Sequence, residues 1–143
     1  MRGVFDTVVL VRGLINPFSR CGRLVFDYDA DYELIVTPDV VDEYLDVLHR
    51  PEVTAKYRSE IDSNLSRVLR IIAKATMVES IEIPTVCRDP EDDKFLAAAV
   101  AGAARFMVSE DLDLLALGNY AEIPILDAGQ ALRLLAQQRE SRG

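Results

Sequence analysis

The 143-residue sequence contains no tryptophan, one histidine and two cysteines. Each scarcity removes a chemistry. A single histidine, His49, cannot build a histidine-rich zinc site, and it leaves little room for Ser-His-Asp or Cys-His catalysis. Cys21 and Cys87 stand far apart with no CxxC partner, so they read as free thiols of a reducing compartment rather than a disulfide framework. No apolar run reaches the ~18 residues that a membrane span needs, and the N-terminus lacks the order of a signal peptide. These absences predict a cytoplasmic chain with no membrane partner. Positive charge is also scarce: 16 Lys and Arg against 24 Asp and Glu give a net charge of −8. Nucleic acid is not held by broad electrostatics on such a surface, so an anionic substrate requires a local basic patch or bound cations.

What is present fits one domain over residues 1–143, with 50% hydrophobic and 28% charged residues. Strand-like runs occur at Val4–Val11, Glu33–Thr37, Arg105–Ser109 and Ile123–Leu126. Helical patterns alternate with them at about 39–49, 61–75, 91–102 and 129–138, with a shorter one near 21–28. This alternation predicts an α/β fold with a mainly parallel sheet covered on both faces. Ser80 to Pro90 reads as a connection, and Gln137 to Gly143 as a frayed tail. Two helix starts are well signed: Thr37 caps before Pro38, and Asp89 caps before Pro90.

Asp6 interrupts the apolar stretch VFDTVVLV, where an unpaired carboxylate is costly to desolvate. Helical geometry sorts the other acids. On the 39–49 helix, Glu43 lies at the edge of the apolar arc of Val40, Val41, Tyr44, Leu45, Val47 and Leu48, while Asp42 and Asp46 face solvent. On the 91–102 helix, Asp93 shares a face with Leu96, Ala97 and Val100, whereas Glu91 and Asp92 are accounted for by the helix start. A third acidic place, VSEDLDLL, follows a strand and offers Asp111 and Asp113. In open parallel sheets, ligands bind beyond the carboxyl ends of the strands.

Joined, these residues predict a pocket of Asp6, Glu43, Asp93 and Asp111, with Asp113 as a companion. Crowded carboxylates raise one another's pKa unless a cation neutralises them, and an oxygen-only, histidine-free donor set suits Mg²⁺ or Mn²⁺. Such a cation activates water, orients a phosphate and resolves the conflict with the negative net charge.

The order of these motifs resembles the PIN-domain family: an Asp in the first strand, a Glu in the next helix, then RDPEDDKFLAAA followed by VSEDLDLL. It is most similar to the VapC-like toxin ribonucleases of toxin–antitoxin pairs, over Val4 to about Leu135. The resemblance implies a three-layer α/β/α sandwich and a metal-dependent endoribonuclease whose acidic quartet is Asp6, Glu43, Asp93 and Asp111. It further implies supporting hydroxyls at Thr7 and Ser109, an RNA substrate, a homodimer and a cognate antitoxin. One departure stands out. The family often keeps a polar residue two positions after the first Asp, and Val8 stands there, on the same face as Asp6 if the segment is a strand.

Simpler readings accompany these. Asp6 can be a structural carboxylate, Glu43 a solvated helix residue, and Asp111 and Asp113 helix caps. Arg67, Arg70 and Lys74 form a stripe opposite Ile61, Leu65, Leu69 and Ile72, best read as a solvated face. Arg12, Arg20 and Arg23 follow the first strand and are better placed to hold phosphate. A haloacid-dehalogenase-type phosphatase needs a second Asp at position 8 and is excluded by Val8. The rival from another class is a PIN-like module that no longer cuts RNA and binds RNA or protein.

Overall fold

The structure is a computed structural model, and it describes residues 1–80 and 82–142. Ile81, in the expected connection, and Gly143, in the expected tail, lie outside the described residues. The order begins β1 (Arg2–Phe5), α1 (Thr7–Ile15), a short α2 (Arg20–Gly22) running into a π-helical turn over Arg23–Asp27, β2 (Glu33–Val36) and α3 (Pro38–Leu48). It continues with α4 (Pro51–Thr54), α5 (Arg58–Ala73), β3 (Thr76–Met77), a 3₁₀ turn at Pro90–Asp92 and α6 (Asp93–Ala101). Then come β4 (Phe106–Val108), α7 (Leu112–Leu117), β5 (Asn119–Tyr120), β6 (Ile123–Leu126) and α8 (Ala128–Arg142).

The sheet runs β3-β2-β1-β4-β6-β5, parallel except for the β5–β6 pair. All three residues of β4 are buried, as are Val4 and Phe5 on β1, so both sheet faces are covered, as the α/β reading predicts. β3 and β5 are two-residue edge strands too short to leave a periodic signal in sequence.

Three expectations change. The first strand stops at Phe5 rather than at Val11. β1 pairs only through Arg2–Phe5, and its partner β4 ends at Val108, so residues beyond Phe5 have no ladder to join. Asp6 instead caps α1, its Oδ1 accepting the Val9 N–H at 3.0 Å, and the β-branched run Val8-Val9-Leu10-Val11 becomes helix. Tertiary pairing overrides β propensity here. Val8 is therefore a half-exposed residue in the first turn of α1, and the argument that strand alternation places it on one face with Asp6 falls away. Second, Gln137–Arg142 continue α8 instead of fraying, and Arg139 bonds Asp31 at 2.6 and 2.8 Å while its guanidinium covers the Tyr28 ring at 3.9 Å. Third, α5 buries Ile61, Val68 and Ile71 and exposes Leu69. Arg67, Arg70 and Lys74 are exposed, as the solvated-face reading expects, and Arg67 lies 4.1 Å over the Phe26 ring.

Candidate active site

The strand order reverses at β1, which hands the chain to β2 on one side and lies against β4 on the other. Crevices form at such switch points, beyond the carboxyl ends of the strands. Asp6 and Ser109 immediately follow the paired ends Phe5 and Val108, and the Asp6 N–H donates to the Val108 carbonyl at 2.9 Å. Asp6 is buried, and its Oδ2 accepts the Ser109 hydroxyl at 2.5 Å and the Glu110 N–H at 3.3 Å. Burial raises its pKa, and the bonds from Ser109, Val9 and Glu110 only partly oppose that rise. Ser109 Oγ also accepts the Asp111 N–H at 2.9 Å, so one hydroxyl ties the Asp6 carboxylate to the Asp111 backbone. Asp111 in turn caps α7, accepting the Asp113 N–H at 3.2 Å, while Asp113 projects to solvent.

Glu43 is carried by α3. That helix is anchored beneath the site by Tyr44, whose buried hydroxyl donates to the Phe5 carbonyl. Both Glu43 oxygens are engaged: Oε2 accepts from Thr7 Oγ1, and Oε1 pairs with Lys94 Nζ at 3.0 Å. The Thr7 hydroxyl is buried, one residue after Asp6.

The third expected acid, Asp93, lies on the buried face of α6 with Leu96 and Ala97. Asp93 is buried, but its Oδ1 accepts the backbone N–H groups of Val86 and Cys87 at 3.1 and 2.7 Å. Burial pulls its pKa up, yet the bonds from the Cys87 N–H, the Cys87 thiol and the Val86 N–H together carry it below the ordinary value. Asp93 therefore ties down the segment entering α6. Its neighbour Asp92 lies against Asp111, close enough for the two carboxyl groups to share a hydrogen bond. Burial first, then that bond and the charges of Asp111, Asp89 and Asp6, push Asp92 up to about 7. Pro90–Asp92 wind as a 3₁₀ turn before the α-helix begins at Asp93, and Asp93, Leu96 and Ala97 are buried on one face of that helix. Val100, assigned to the same inward face as Asp93, is 49% exposed. The sequence signal that finds Asp92 is Pro90 itself, which marks the tight turn.

Arg12, Arg20 and Arg23 are exposed, on α1, at the start of α2 and at the start of the π-helical turn; Arg12 reaches Glu110 at 3.8 Å. Cys21 donates its thiol to Glu110 at 3.3 Å; burial first, and then that carboxylate, push the thiol up to about 12. Such a thiol stays protonated and is no nucleophile.

The donor chemistry fits a hard divalent cation, being oxygen-only and crowded with carboxylates. Among the described residues, however, no three His, Cys, Asp or Glu side chains gather closely enough to hold a metal. Asp92 lies against Asp111, Asp6 is linked to the Asp111 backbone through Ser109, and Glu43 is bonded to Thr7 and Lys94. An ammonium thus occupies one carboxylate that a metal would otherwise neutralise.

No curated protein sequence matches the chain significantly. The fold is similar to that of VapBC2 from Rickettsia felis, solved bound to a DNA fragment from their promoter, with a TM-score of 0.56 and 10% identity over 89% of this chain and 98% of that one. It is similar also to PAE2754 from Pyrobaculum aerophilum, with a TM-score of 0.56 and 14% identity over 96% and 99% of the two chains. A family model described as "PIN domain" matches residues 2–113, which hold β1, β4 and all the carboxylates just described. The chain belongs to the PIN-domain family.

Proposed function

We propose that this PIN domain is a Mg²⁺- or Mn²⁺-dependent endoribonuclease, the toxin of a toxin–antitoxin pair. PIN domains are in general nucleases that use divalent metal ions. The observation that carries the reading is the set of acids at the switch point of the sheet: Asp6 bonds the Ser109 hydroxyl, the Asp111 backbone N–H bonds the same oxygen, and Asp92 lies against Asp111. A bound divalent cation would supply an activated water and stabilise the charge that develops on the phosphate. In this reading Asp6, Asp92 and Asp111 hold the cation, and Glu43 completes the acidic quartet. Thr7 and Ser109 orient the carboxylates, and Asp113 stays an outer companion. Arg12, Arg20 and Arg23 present exposed cations for the RNA backbone, which needs only positive charge. Asp93 holds the 86–87 backbone and acts through position.

The fold shared with VapBC2 supports a cognate antitoxin as partner. A homodimer and a cytoplasmic location complete the proposal. The alternative, a weakened binding module, rested on Val8 beside Asp6 in a strand. With Val8 in α1, that argument no longer favours it.

The test uses purified, antitoxin-free protein with structured and single-stranded RNA and added Mg²⁺ or Mn²⁺. Cleavage should disappear in EDTA and fall on the order of 100-fold in Asp92→Asn, a loss of a few kcal/mol of charge stabilisation. No cleavage of any RNA, together with no calorimetric metal binding, would overturn the reading.

A further inference from the structure

Lys94 stands where a carboxylate-rich site least needs a lysine. Its side chain is only 17% exposed, and its ammonium lies 3.0 Å from Glu43 Oε1 and 3.0 Å from Glu91 Oε2. Among the described ion pairs, no other reaches a member of the acidic set Asp6, Glu43, Asp92 and Asp111. Lys94 lies in the first turn of α6, two residues after Asp92, which ends the 3₁₀ turn. Glu43 is fixed from the other side by Thr7, next to Asp6. One continuous chain of contacts therefore runs from Asp6 through Thr7, Glu43 and Lys94 to Glu91.

We propose that Lys94 is a positioning residue that acts as a resident counter-ion for Glu43 and is displaced when a divalent cation enters. The inference rests on the metal-dependent reading above and adds how the fourth carboxylate is managed. Without metal, the ammonium neutralises the Glu43 carboxylate. When Glu43 turns to the cation, Lys94 keeps a partner in exposed Glu91, so the exchange leaves no bare charge half-buried. The second ion pair is the feature that a merely structural clamp would not require. Lys94 thus competes with metal and sets how tightly the site takes it.

The experiment is calorimetric titration of Mn²⁺ into native protein, Lys94→Met, Lys94→Arg and Glu43→Gln, with thermal melting in EDTA to confirm folding. Removing a unit positive charge beside the site should tighten Mn²⁺ binding roughly tenfold in Lys94→Met, while Lys94→Arg stays within about twofold of native. In a Glu43→Gln background, Lys94→Met should change the affinity far less, because the residue it acts through is gone. Native protein that takes up Mn²⁺ with an affinity unchanged or weakened by Lys94→Met would overturn this inference alone. An equal tightening with and without Glu43 would also overturn it, since the effect would then be general electrostatics. Native protein that takes up no Mn²⁺ would overturn the nuclease reading and this inference with it.

Discussion

Asp92 and Asp93 are adjacent in sequence and titrate in opposite directions. Asp92 sits against Asp111 and is pushed up to about 7, chiefly by burial and then by that contact, whereas backbone N–H groups outweigh burial at Asp93 and hold it low. The raised group ties stability to pH with a definite sign. Between its ordinary value of 3.8 and about 7 the folded state holds a proton that the unfolded chain has released, so raising pH through this window lowers metal-free stability. Asp6, also raised, adds to the same slope, while Asp93 contributes stability that is lost only as pH falls below its ordinary value. Thermal melting in EDTA should therefore fall as pH rises from about 4 to about 7. Asp92→Asn should flatten the slope, because the amide carries no charge to repel Asp111. An unchanged slope in the variant would show that the proton resides elsewhere. Sequence inspection selects the buried member of the pair, Asp93, and assigns the half-buried Asp92 to the helix start; the contact of Asp92 with Asp111 is a tertiary one.

At the scale of elements, the same tension between local propensity and pairing recurs. Val8-Val9-Leu10-Val11 has strand composition and forms helix, since β1 has no partner beyond Phe5. The β5–β6 hairpin shows the converse, a turn imposed on residues that resist it. Tyr120 pairs with Ile123, and the two residues between them, Ala121 and Glu122, both adopt positive φ of 49° and 66°. Two-residue turns of this kind favour Asn and Gly because a Cβ is strained there. Glu122→Gly should raise stability by roughly 0.5–1 kcal/mol in urea unfolding. A lower midpoint would mean that the Glu122 side chain makes a compensating contact. No dipeptide in the sequence announces this hairpin, and that is why β5 escaped sequence inspection.

Over the whole molecule, the family match ends at residue 113, yet the sheet and the core do not. β6 extends the ladder from β4, and α8 buries Ala128, Ala131, Leu132 and Leu135 against the body of the domain. The last turns of α8 are also tied back by Arg139 to buried Asp31. Leu135, fully buried, should cost about 2–5 kcal/mol when replaced by alanine, as for other core leucines. Denaturant unfolding measures this, and a loss below 1 kcal/mol would mean that α8 is an appendage rather than part of the core.

The order of elements, the covered parallel sheet and the acidic, oxygen-only character of the site follow from the sequence by itself, because periodicity, helix caps and residue type are local properties. Glu43 was legible for the same reason: its place at the edge of an apolar arc survives any small shift in helix ends. The length of β1, the conversion of Val8–Val11 to helix, the contact of Asp92 with Asp111 and the pairing of Glu43 with Lys94 were decided by tertiary structure. Each depends on a partner well separated in the chain — β4 for β1, Asp111 for Asp92, Lys94 for Glu43 — and no local pattern encodes the register in which distant segments meet.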